Sequence, residues 1–168
     1  AKTLPAMAAL VRQIGAREVR RIYLALVHGR VAWDNISIEA PIGRDPVSRL
    51  RMAVVATGKP ARTDVAQLAA WPGIAGDGKG TVTAVRCRLH TGRTHQIRVH
   101  LSSRGHALVG DATYGGRSML GLARQALHAA ELAFEHPHGG HLVTFSAPLP
   151  ADLAAAWEVV QPGGPQPG

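Results

Sequence analysis

Leu89-His90-Thr91-Gly92-Arg93-Thr94-His95-Gln96-Ile97-Arg98-Val99-His100-Leu101 alternates polar, cationic and apolar side chains across what reads as the junction of a strand and a helix. Residues 80–90 have the two-residue period of a strand, with Val85, Cys87 and Leu89 on one face and Arg86, Arg88 and His90 on the other. Thr91-Gly92 breaks that period. Thr94 is placed to cap a short helix whose apolar seam is Ile97 and Leu101, with Gly105 ending it. Arg93 then stands just ahead of a helix N-terminus, where free N–H groups and the positive end of the dipole add to its guanidinium. Such a junction favours an oxyanion, a carboxylate or a phosphate.

Working outward, residues 3–14 carry a cap at Thr3, an early proline at Pro5, and Leu4, Met7, Ala8, Val11 and Ile14 at helical spacing, with Gly15 to end the helix. Residues 19–28 alternate as a strand: Ile22, Leu24 and Leu26 face one way, Arg21, Tyr23 and Ala25 the other. A flat base could stack on Tyr23. A half-exposed strand tyrosine packing on a neighbour fits the same pattern, and the residues alone leave both readings open. Between 36 and 56 two short strands flank a loop, 41–49, that carries Arg44, Asp45 and Arg49. With Arg51, Lys59 and Arg62 this is the densest basic stretch outside the main motif. It suits contacts to a nucleic-acid backbone, and equally a mobile charged hairpin with no partner.

Residues 71–80 are rich in glycine and read as a turn between strands. Residues 126–134 form a short apolar run that fits a helix, or a helix passing into a strand, and core in either case. Residues 151–160 look helical, and 161–168 is a Pro/Gly tail with nothing to bury, leaving one domain over 1–160. No internal repeat is visible.

The 168 residues are enough for one domain with a substantial core, and 46% hydrophobic content supports a globular state. The formal charge is +8, and of the 19 cationic side chains only Lys2, Lys59 and Lys79 are lysine. That balance favours a polyanionic partner, and arginine suits bidentate phosphate contacts, although any one arginine is an ordinary solvated charge when taken singly. Cys87 is the only cysteine, so no internal disulfide can form, and its place on the apolar side of its strand predicts a buried, inert thiol. No apolar run approaches the roughly 20 residues that span a bilayer, and no signal peptide is visible. The expected setting is cytoplasmic, with no membrane partner.

The 9 histidines invite a metal reading. His136, His138 and His141 crowd one turn, yet no cysteine or acidic pair accompanies them, and five-residue spacing puts His95 and His100 on different helix faces. No metal is expected. His95 is read as orienting the arginine loop or touching a ligand, and His136-Pro137 as ending a strand before a hairpin. The glycines around Tyr114 lack phosphate-loop spacing and read as a tight turn.

The string from Thr91-Gly92-Arg93 to Leu101, followed by Gly105-His106 and Gly110-Asp111-Ala112-Thr113-Tyr114-Gly115, resembles the RluA-type RNA pseudouridine synthases. Three further pieces agree in order and spacing: Arg21-Ile22-Tyr23-Leu24-Ala25-Leu26-Val27-His28-Gly29; Ala126-Leu127-His128-Ala129 with Leu132, Phe134, His136 and Pro137; and Phe145-Ser146-Ala147-Pro148-Leu149-Pro150. The resemblance runs from about Lys2 to Trp157. It implies an α+β fold, a mixed and mostly antiparallel sheet flanked by helices, with an RNA cleft across it.

The same resemblance implies isomerisation of uridine to pseudouridine in RNA, with no metal and no organic cofactor. An aspartate acts covalently on the nucleoside, a tyrosine contacts the base and assists proton removal, and a basic residue pairs with the aspartate. Carried over by motif, the tyrosine is Tyr23 and the basic residue is Arg93. Arg21, Arg44, Arg49, Arg51, Arg62, His95 and Arg98 are expected to contact RNA. The aspartate of the family lies in a motif of the form HRLDxxTSG just upstream of a segment reading like Ala1-Lys2-Thr3. None of Asp34, Asp45, Asp64, Asp77, Asp111 or Asp152 has that context. The expectation is the C-terminal part of a longer polypeptide, inactive alone, with exposed sheet edges or an incomplete core and with Arg93 exposed or holding another anion. Large-subunit rRNA is the expected substrate class, tRNA the alternative, and the chain is expected to be a monomer. The competing reading is a non-catalytic RNA-binding module or paralogue with the same fold. An unrelated basic α+β domain would require four ordered motif matches to be coincidence.

Overall fold

The computed structural model describes residues 1–73 and 80–164. The turn expected over 71–80 and the end of the Pro/Gly tail therefore lie largely outside the described residues.

The strand ahead of the main motif, β6 (Val82–Leu89), pairs antiparallel with β1 (Arg20–His28) on one side and β5 (Arg62–Trp71) on the other. With β2 (Asn35–Glu39), β7 (Leu127–Glu135) and β8 (Leu142–Ser146) they make a six-stranded antiparallel sheet in the order β2-β5-β6-β1-β7-β8. Strands β3 (Ile42–Arg44) and β4 (Met52–Val54) form a separate hairpin. Where the sequence suggested two strands between 36 and 56, there are three: β2 joins the main sheet and the charged loop is the tip of the separate hairpin.

Alternation on the central strands sorts the core into two layers. Leu24 and Leu26 of β1 and Val82 and Ala84 of β6 pack under Leu153, Ala156 and Trp157 of helix α3 (Ala151–Val160). On the other face Ala25, Val27, Val85, Cys87 and Leu89 pack under Ile97 and Leu101 of helix α2 (Gln96–Ser103), the seam that the spacing predicted. Burial pushes the Cys87 thiol up to about 12, so it stays protonated. A third cluster, Ile42, Ala61, Val99 and Tyr114, joins the hairpin to α2.

Three local expectations change. Thr94 does not cap α2. The cap position is His95, in the left-handed region at φ 55 and without a side-chain cap bond. The run 126–134 is not helix: from Leu127 it is strand β7, and only Ala126 and Ala133 of the run are buried, so it is a half-exposed strand more than core. The first helix, α1 (Leu4–Gly15), is capped by Thr3 as expected, but Gly15 is its last residue and the left-handed turn falls on Arg17 at φ 63. None of its residues is buried: Leu4 is 76% and Val11 63% exposed. Beside it Leu132, Leu142 and Phe145 of β7 and β8 are exposed as well. Helical period identified an apolar seam, but nothing among the described residues buries it.

No helix among the described residues is long and apolar enough to cross a membrane.

Candidate active site

The break at Thr91-Gly92 becomes a loop held by one amide. Gln96 Oε1 accepts the Thr91 hydroxyl at 2.7 Å and the Arg93 N–H at 3.0 Å, while its Nε2 donates to the Arg62 carbonyl and to Thr63 Oγ1, each at 2.9 Å. All four hydrogen-bonding positions of this buried side chain are used. The chain of bonds continues inward. Thr63 Oγ1, already an acceptor, lies 2.9 Å from His100 Nδ1, and His100 Nε2 lies 2.9 Å from the Ala40 carbonyl. That arrangement calls for a neutral imidazole with its proton on Nε2, in keeping with burial lowering the His100 pKa.

Arg93, held at the head of α2, is half-buried, and its Nε donates to the Pro60 carbonyl at 3.0 Å. It makes no ion pair. Tyr23 stands on the α2 face of the sheet, half-buried against the cluster that contains Cys87 and Leu89, and its hydroxyl makes no hydrogen bond. A β-bulge in the pairing with β7 falls between Ile22 and Tyr23. Bulges re-aim side chains, and they are over-represented beside functional sites. Arg21, two residues before Tyr23 on the same strand face, reaches the loop: a Cβ added to Gly92 would lie 2.6 Å from Arg21 Nη1. Arg21 thus joins the strand of Tyr23 to the loop of Arg93.

Apart from Arg21, the arginines expected to contact RNA separate into three groups. Arg44 and Arg49 are exposed at the hairpin tip, and Arg51 pairs there with Asp45 at 2.8 Å. Arg62 belongs to the opposite face of the sheet, bonded to Asp64 at 3.1 Å and to Glu39 at 3.4 Å. Arg98 points inward: its Nε and Nη2 each lie 2.7 Å from a carboxylate oxygen of Asp111, its guanidinium covers the Tyr114 ring at 4.8 Å, and its side chain is 14% exposed. It locks the turn that carries Asp111 onto α2. His95 meets Tyr114 through Nδ1 at 2.8 Å, and burial with the nearby Arg98 charge lowers its pKa.

The opposite face holds an open trough of about 920 Å³ that includes Arg20, Arg62, Arg86, Arg88, Asp64 and Glu131. Burial would raise the Asp64 pKa, but hydrogen bonds from Ser37, His90 and Arg62 hold it down to about 2. Neither Tyr23 nor Arg93 lines this trough, and its carboxylates are already paired, so the motif-bearing side is the better candidate.

Among the described residues no carboxylate is bonded to Arg21 or Arg93: Asp45, Asp64, Asp111 and Asp152 hold Arg51, Arg62 with His90, Arg98 and Arg124 respectively. Nor is there any group of three or more metal-ligating side chains among them. In the β7–β8 turn His136 and His141 simply stack, 5.0 Å apart. Reading by motif missed Gln96, Gly92 and Tyr114. The available signal was a Thr-Gly break followed five residues after the threonine by a glutamine at the buried start of a helix.

The family model described as RNA pseudouridylate synthase matches residues 1–103, and the chain belongs to that family. It is 46% identical over 169 residues to the ribosomal large subunit pseudouridine synthase D of Nitrosomonas europaea, covering 96% of this chain and 46% of that protein. It is 52% identical over 149 residues to a Chloroflexus aurantiacus protein described as an uncharacterized RNA pseudouridine synthase, covering 88% and 44%. The solved structure of human RNA pseudouridylate synthase domain containing 1 superposes with a TM-score of 0.73 at 32% identity, over 94% of this chain and 66% of that one. The chain spans about half the length of the curated relatives it matches.

Proposed function

We propose that this chain carries the tyrosine and guanidinium side of an RNA pseudouridine synthase site, converting uridine to pseudouridine in structured RNA, with large-subunit rRNA as substrate. The observation that carries the reading is the shared sheet face of Tyr23 and the Gly92-Arg93 loop, bridged by Arg21, in a chain of this family. The names of the Nitrosomonas relative and of its Neisseria meningitidis counterpart favour rRNA over tRNA.

The reaction exchanges the C1′–N1 glycosidic bond for a C1′–C5 bond. The C5 proton leaves and N1 gains one, so no redox partner is needed. The target base must leave its stack at a cost of a few kcal/mol, which is lower in loops where bases are partly free. Tyr23 receives the base on its ring and offers an unengaged phenol near the proton to be moved. A guanidinium keeps the attacking carboxylate ionised. The described residues supply no free carboxylate there, so the nucleophile is assigned to polypeptide outside this sequence, and the proposed setting is the cytoplasm.

The test is pseudouridine formation in 23S rRNA transcripts by a polypeptide that joins this chain to its upstream segment, read by mass spectrometry. The expected result is conversion that falls at least about 100-fold in Tyr23→Phe. The missing carboxylate favours one other reading, an RNA-binding module. Tight RNA binding without conversion by that longer polypeptide would establish the module instead.

A further inference from the structure

Arg21 is the one described residue with a buried side-chain polar atom lacking any hydrogen-bond partner: its Nε. The rest of its guanidinium is equally unengaged, since no ion pair or hydrogen bond involves it. A buried donor is normally satisfied, because leaving it unpaired forfeits its hydration with nothing in return. Such a group in a folded protein calls for an explanation by an absent partner.

The surroundings say what kind. Arg21 sits opposite Leu132 on β7, on the strand face of Tyr23, with its Nη1 against the backbone of Gly92. Only a residue without a Cβ lets the guanidinium lie there. Arg93, the cation singled out by its motif, has its Nε occupied by the Pro60 carbonyl. Arg93 has thus given its Nε to the protein, whereas every guanidinium donor of Arg21 is without a protein partner, and a guanidinium matches a carboxylate or a phosphate with two parallel bonds.

We infer that Arg21, lying against Gly92 on the strand face of Tyr23, is an oxyanion-binding residue of this site that takes a carboxylate or a phosphate. The inference rests on the proposed function for the source of the anion, though not for the existence of the site. Two sources share the chemistry: a carboxylate from preceding polypeptide, and a phosphate of bound RNA.

The test follows the Arg21 Nε–H resonance in the 168-residue chain during titration with inorganic phosphate. A saturable shift is expected, with phosphate affinity reduced about tenfold or more in Arg21→Gln and retained in Arg93→Gln. Gly92→Ala, whose methyl displaces only the mobile end of Arg21, is expected to lose the same affinity while its remaining amide spectrum stays native. Arg21→Gln binding phosphate as well as the unaltered chain would overturn the proposal.

Two further arms identify the source. In the longer polypeptide without RNA, a resonance already displaced and deaf to phosphate assigns the anion to a carboxylate. A displacement that comes only with an rRNA stem-loop assigns it to phosphate, and no displacement in either overturns the proposal. Phosphate binding at Arg21 together with an inability to form pseudouridine would sink the functional reading and leave this site standing.

Discussion

The Tyr114 hydroxyl and His95 Nδ1 lie 2.8 Å apart, with their rings edge to face at 5.7 Å. The same hydroxyl accepts the Met52 N–H at 3.0 Å. One phenol, contributed by the turn after Asp111, thus ties the basic hairpin of β3 and β4 to the head of α2. The two candidate RNA-facing elements are thus joined through one residue of a turn.

Tyr114→Phe keeps the ring under Arg98 and removes both bonds. It is expected to lower stability by about 1–2 kcal/mol and to speed hydrogen exchange at the Met52 amide. Urea melts and amide exchange provide the check, and unaltered Met52 protection would contradict the link.

Gln96→Leu leaves the Thr91 hydroxyl and the Arg93 N–H without an acceptor, and removes one bond each from Thr63 Oγ1 and from the Arg62 carbonyl, which keeps the His90 N–H. The expected loss is about 2–4 kcal/mol by chemical denaturation. Because the amide closes the 91–95 loop, line broadening should concentrate there before global unfolding.

Asp111→Ala strands the Arg98 guanidinium in a largely buried setting. Removing one member of such a pair costs about 3–5 kcal/mol. The loss should change little between low and high salt, because a buried pair is poorly screened. A cost under about 1 kcal/mol, typical of a surface pair, would show that Arg98 is not committed to Asp111.

Gly116→Ala would drive a methyl into the Leu108 carbonyl oxygen and close to the Asp111 N–H. Backbone cannot yield there as a side chain can, so a loss above about 3 kcal/mol is expected. Gly105→Ala, whose Cβ meets nothing within 4 Å but whose φ is +82, should cost less. Paired thermal melts rank the two.

His28, His95 and His100 all have lowered pKa values, burial being the first cause in each. Between those values and the ordinary one near about 6.5, the unfolded chain binds more protons than the folded one. The corresponding stability is complete above that ordinary value and is lost as pH falls through the folded values. The melting temperature should therefore drop between about pH 7 and pH 5. His100→Gln, which can still bond both Thr63 and Ala40, should flatten the drop. Asp64, held at about 2, adds a loss only in more acidic solution.

Local order was written in the sequence where one residue's neighbours along the chain decide its face. Val85, Cys87 and Leu89 against Arg86 and Arg88, the break at Thr91-Gly92, and the Ile97 and Leu101 seam all follow from a period of two or of nearly four. The family motifs added Tyr23 and the arginine loop. Where the same reasoning failed, the deciding neighbour lay far along the chain. Leu4, Met7, Val11 and Ile14 make a proper helical seam that stays exposed. Residues 127–135 became strand because β1 and β8 flank them with backbone partners. Arg98 looked like a surface cation until Asp111 folded onto it.

The sequence by itself determined the strand faces and the loop chemistry at 91–93, because alternation and turn residues act over a few positions; the mostly antiparallel α+β framework was legible only through the resemblance of its motifs to a known family. Tertiary structure alone decided which of Arg21, Arg93 and Arg98 is left without a protein partner. A guanidinium is freed or consumed by groups tens of residues away, and only folding brings Gly92 to Arg21, Pro60 to Arg93 and Asp111 to Arg98.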